Sequence, residues 1–329
     1  MGPRQVVEAL KRSAFLADVG ERDRDLVHLA ILMLGGAGIF VATLLFGMGL
    51  LIAQWWAVGA PGGVAGFGEF TRALTENPAH DIWTAFRMLV FAAIMNSLIA
   101  VTFTLLAARL YGRRLRDYLT AAPRIRWRLL AMGLVLTGIA MAPVMAWDVL
   151  RSDEPPALPL LHVSTDLIGR AGYGLAVLVL LIPAAAAEEA VFRGWLLKQT
   201  AAFTHDLTPL LVINGLAFSA IHGDFTPDAF LTRAVMGAGF AYMTLRLGGI
   251  EFSIGAHAAN NILILLFVQP LTLQTSVTPT MSADSTIADL VIAVIYVGMT
   301  EAVIRWPPLR RLARLEAPAP AAAVTAAAP

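Results

Sequence analysis

VHLAILMLGGAGIFVATLLFGMGLLIA, residues 27–53, contains one histidine and no Asp, Glu, Lys or Arg. As an α-helix it would run about 40 Å, enough to cross a hydrocarbon core about 30 Å thick. Working outward from it, apolar segments recur at 84–108, 128–148, 171–200, 207–223, 228–248, 250–268 and 286–304. Composition points the same way, with 58% hydrophobic residues, 14% charged residues and a mean hydropathy of +0.71. Soluble globular chains are about a quarter charged. In lipid every backbone polar group must find a partner within the protein, which leaves helices or closed barrels. The expected fold is therefore all-α, a polytopic membrane bundle of about eight transmembrane helices.

Charge between the spans sets orientation. Arg4, Lys11, Arg12, Arg22 and Arg24 precede the first span. Arg109, Arg113, Arg114, Arg116, Arg124, Arg126 and Arg128 follow the second, and Arg305, Arg310, Arg311 and Arg314 follow the last. With eight spans these clusters share one side, so both termini are expected in the cytoplasm of a bacterial inner membrane. Residues 1–26 read as an amphipathic arm at the membrane surface, too charged for a signal peptide. The stretch 54–83 reads as a Gly- and Pro-rich loop, and 306–329 as a disordered cytoplasmic tail ending in a low-complexity Ala/Pro run. Between them, 27–160 form N-terminal spans and 161–305 a second unit. A net charge of +1 gives no reason to expect nucleic acid as a partner. The absence of cysteine removes disulfides, thiolate metal sites and cysteine nucleophiles.

Ionisable side chains inside a span are costly, so each is a functional candidate. AAAAEEAVFRGWLL (184–197) places Glu189 and Arg193 four apart on one helix face, where they can pair. Glu188 points about 100° away. One arginine cannot neutralise both carboxylates, so one of them suits general acid or base chemistry. NGLAFSAIHGD (214–224) sets Phe218 and His222 four apart, and GAHAANNILILL (255–266) does the same for His257 and Asn261. Each motif alone admits a plain reading: charges at a helix end, an interfacial histidine, or asparagine bonding between helices.

Taken in order on separate apolar spans, Glu-Glu-x-x-x-Arg, Phe-x-x-x-His and His-x-x-x-Asn resemble the CPBP family of intramembrane proteases. That family comprises CAAX proteases, bacteriocin-processing enzymes and abortive-infection-like proteins. The resemblance covers roughly residues 165–270 and implies a glutamate-dependent endopeptidase without an obligatory metal. It implies that Glu188 and His222 activate water, that His257 and Asn261 stabilise the oxyanion, and that Glu189 and Arg193 complete and orient the site. The partners it implies are a peptide or membrane-protein substrate and the lipid bilayer, with CAAX-like chains among the substrates. Peptide hydrolysis needs a deprotonated water and donors where negative charge develops, and these residue types can supply both.

Other designs fit less well. There is no His-Glu-x-x-His zinc helix and no Gly-x-Ser-x-Gly elbow. Two histidines and a carboxylate from separate helices could still hold zinc with an open position. Carboxylate–histidine chains also serve proton-coupled transporters, and a catalytically silent scaffold or immunity protein could keep all three motifs. One conflict stands within this reading. Glu188 and His257 come out at matching depths, whereas His222 lies near the outer end of span five. The expectation is that span five begins deeper, tilts strongly or is partly re-entrant.

Overall fold

The computed structural model describes residues 2–76, 81–151, 166–272 and 283–315. All eight apolar segments are helical: α2 (Leu26–Ala57), α4 (Ile82–Tyr111), α5 (Trp127–Arg151), α6 (Leu167–Glu189) with α7 (Leu197–Phe203), α8 (Leu207–Ala220), α9 (Pro227–Leu247), α10 (Glu251–Phe267) and α11 (Ala283–Arg305). Among the described residues five helices are long and apolar enough to cross a membrane: 26–57, 82–111, 127–147, 167–203 and 285–305. The sequence count of eight was larger because it ignored helix length. The helices α8 and α10 have 14 and 17 residues, short of the roughly 20 that a span needs. Helix α9 is long enough but carries Asp228, Arg233 and Arg246.

Smaller elements complete the chain. The expected loop 54–83 contains α3 (Gly63–Glu76), separated from α2 by a turn with positive φ at Gly59, Ala60 and Gly62. A short α12 (Pro307–Leu312) occupies the start of the expected tail, whose residues 316–329 lie outside the described residues. In the N-terminal arm, α1 (Pro3–Lys11) buries Leu10 in a cluster with Leu210 and Leu245. The strap 13–25 then crosses several helices at one end of the bundle. Arg113 pairs with Asp18 at 3.0 Å and closely with Asp23. The Lys198 ammonium donates to Phe15 O at 2.5 Å and contacts Asp18, while Gln199 donates to Asp23 O at 2.7 Å.

Close helix crossings build the second half. Helices α5 and α10 meet at Gly133 and Gly255, where an added Cβ would collide with the partner's backbone. Gly215 of α8 and Gly237 of α9 allow a similar approach. Small residues let helix backbones come close enough for dispersion and Cα–H contacts to hold them in lipid. The start of α10 is fixed from the basic loop: Arg126 grips Glu251 at 2.9 and 2.6 Å, and Ile250 N donates to Leu119 O at 2.9 Å.

Candidate active site

A departure from α geometry marks the centre of the bundle. Immediately after Glu189 the chain forms a π-helix, Ala190–Leu196, before α7 resumes. Single π turns widen a helix locally and recur at functional sites. The two glutamates just before it lie in different surroundings. Glu189 is fully buried, and its Oε1 accepts from Arg193 Nη1 at 2.9 Å and faces His257 Nδ1 at 3.0 Å. Arg193 is equally buried. It donates from Nη2 to Gly237 O at 3.0 Å and lies over the rings of Phe218 and Phe240, 4.4 and 5.0 Å from their centroids.

Glu188 keeps 18% of its side chain exposed. Its Oε1 accepts a close hydrogen bond from Asn96 Nδ2 on α4, and its Oε2 lies 3.6 Å from His257 Nε2. The 100° turn between adjacent helical positions thus sends one carboxylate inward to an arginine and the other to an accessible space. His257 stands between them, 2% exposed, stacked on Phe240 with centroids 5.2 Å apart and edge-on to Phe218 at 5.4 Å.

His222 follows the end of α8 and is exposed. Its Nδ1 is 2.7 Å from Phe218 O, one of the carbonyls a helix end leaves without an intrahelical donor. A carbonyl only accepts, so Nδ1 carries the hydrogen and the neutral ring keeps a lone pair on Nε2. The ring packs edge-on against Phe218 at 4.9 Å, so Phe218 touches both imidazoles. His222 also lies within electrostatic range of Glu188 and His257. Asn261, half-buried, is four residues beyond His257 on the same face of α10, and it makes no hydrogen bond among the described residues.

The expected depth conflict comes from a different helix than the one suspected. Helix α8 begins at Leu207, where the sequence placed it. The run 167–203 is instead 37 residues long and passes well beyond one bilayer thickness. Measured from the helix ends nearest the strap, Glu188, His222 and Asn96 each lie about 15 residues in, or about 22 Å. Asn96 was missed because it is a single uncharged side chain in a long, mostly apolar span, with no ionisable residue within one helical turn. Among the described residues no group of three or more His, Asp or Glu has the arrangement of a metal centre.

Residues 171–263 match the family described as Type II CAAX prenyl endopeptidase Rce1-like. That segment, under a third of the chain, holds all three motifs and supports the resemblance they carry. A protein named "Uncharacterized protein YyaK", from Bacillus subtilis (strain 168), is 27% identical over 207 residues, covering 61% of this chain. The match spans 65% of that relative, just under two thirds of its length. No solved structure matches the chain.

Proposed function

We propose that this chain is a glutamate-type intramembrane endopeptidase that cleaves membrane-associated peptides with an activated water. The observation that carries the reading is the split between the two glutamates. Glu189 is spent on Arg193 and His257, whereas Glu188 is held at an accessible edge with His257 beside it. Two carboxylates placed in unlike environments take unlike roles.

In this mechanism water sits between Glu188 and the free Nε2 of His222, which take up its proton as the oxygen bonds to the scissile carbonyl carbon. The tetrahedral oxyanion accepts hydrogen bonds from His257 Nε2–H and Asn261 Nδ2–H. Glu189 on Nδ1 holds the His257 ring in orientation, as a buried carboxylate does for other catalytic imidazoles. Collapse breaks the C–N bond, and the stored proton leaves with the amine. Apolar walls strengthen each of these interactions by excluding bulk water.

The same reading places the bundle in a bacterial cytoplasmic membrane with both termini on the cytoplasmic side. The strap 13–25, the basic loop, the end of α7 and the end of α11 all gather at one end of the bundle. The substrate class this reading assigns is a membrane-associated or CAAX-like peptide chain. The test is a comparison of terminal peptides from membranes carrying the wild type or Glu188→Ala. Termini that arise only with the wild type are expected, and identical sets would sink the reading.

A further inference from the structure

We propose that Asn96 on α4 is a positioning residue for Glu188, a role that rests on the peptidase reading above. Helix α4 packs on α6 through buried Ile82, Ala85 and Leu89, which cluster with Tyr173, Val177 and Leu181 of α6. Asn96 continues along this helix between buried Ala93 and Ala100, three and four residues away. Thr104, another polar residue of α4, turns back to its own helix and donates to Ala100 O at 2.8 Å. Asn96 reaches across and donates to Glu188 Oε1.

An amide donor on one carboxylate oxygen selects a rotamer and leaves the other oxygen available. Here Oε2 stays turned to the reaction space, 3.6 Å from His257 Nε2 and short of a direct hydrogen bond. The charged groups around Glu188 are Glu189 and Arg193 on its own helix, His257 on α10 and His222 after α8. Helix α4 faces it with a neutral donor. Without that donor the carboxylate is free to close on the His257 imidazole and withdraw from the water. Asparagine acting only as glue between helices would stabilise α4 against α6 whatever the state of the active site. The two roles differ in what a donor at position 96 does for turnover.

The test uses the full-length protein in membranes and, as probe, a peptide spanning a Glu188-dependent cleavage site from the terminal-peptide comparison. Asn96→Leu and Asn96→Asp, which remove the donor, are expected to lower kcat about 10- to 100-fold with KM unchanged. Asn96→Gln, which keeps the amide but not the length, recovers part of kcat. Equal turnover in N96L and N96Q overturns the assignment. A second readout is independent of activity and of any folding defect in these variants. Because the chain has no cysteine, N96C/E188C and N96C/E189C can each be treated with a short thiol cross-linker. Only the first pair is expected to join, since Glu189 is turned about 100° away; equal cross-linking of both overturns the placement. Cleavage that survives Glu188→Ala defeats the peptidase reading and the positioning role together. Cleavage lost in Glu188→Ala but untouched in N96L defeats Asn96 alone.

Discussion

His257 Nδ1 lies 3.0 Å from Glu189 Oε1, the same oxygen that receives Arg193 Nη1 at 2.9 Å. Removing the charge from Glu189 therefore leaves a buried guanidinium without its counter-ion. Glu189→Gln is expected to cost about 3–5 kcal/mol, the usual penalty for breaking a buried pair. Glu188→Gln removes a carboxylate that is partly exposed and paired to no arginine, so its thermal stability should stay near wild type while cleavage is lost. Thermal unfolding of the two variants in one detergent distinguishes them. Equal destabilisation would contradict the division of roles.

His222 and Phe218 share an edge contact but should respond differently to truncation. His222→Ala removes an exposed ring, and turnover should drop about 10²- to 10⁴-fold, the usual contribution of a general base. Phe218→Ala opens a cavity among Phe192, Phe240, His257 and Arg193, and about 3–5 kcal/mol of stability should go with it. Rate and unfolding measurements on both variants make the comparison.

Prolonged dialysis against a strong chelator should leave cleavage intact, because the proposed base and oxyanion donors are all side chains. The measurement is activity together with metal analysis of the dialysed protein. Stoichiometric zinc whose removal abolishes cleavage would replace the glutamate mechanism with a metal-bound water.

Gly255 sits two residues before His257, where α10 crosses α5. Gly255→Ala should separate the two helices, costing about 1–3 kcal/mol as an overpacked contact does. It should also lower kcat through a displaced His257. An unfolding scan and a rate on the same preparation test both effects. A stable variant with wild-type turnover would show that the crossing does not position the imidazole.

Helix positions and the pairing of Glu189 with Arg193 were readable because both depend on local periodicity. Span length and the four-residue spacing need only the geometry of one helix. Contacts between helices depend on which faces meet, and an apolar span hides that. Asn96 stands among apolar residues that would look the same whether it faced lipid or a carboxylate. The depth of Glu188, not that of His222, was misjudged, because the helix bearing Glu188 was assumed to stop at the membrane boundary. The sequence shows no charge break at 200 that would reveal the strap receiving Lys198 and Gln199. The count of eight crossings counted α8 and α10 as full spans by hydropathy, although each is too short by itself.

The seven-residue π segment after Glu189 has a consequence for register. A turn closed five residues on rather than four takes in one extra residue, which sets the angular phase of everything beyond it back by about 100°. Lys198 and Gln199 owe their aim toward the strap to that offset, while Glu188 and Glu189 lie before it and keep theirs. One backbone insertion therefore separates the azimuth of the helix's docking end from that of its carboxylates.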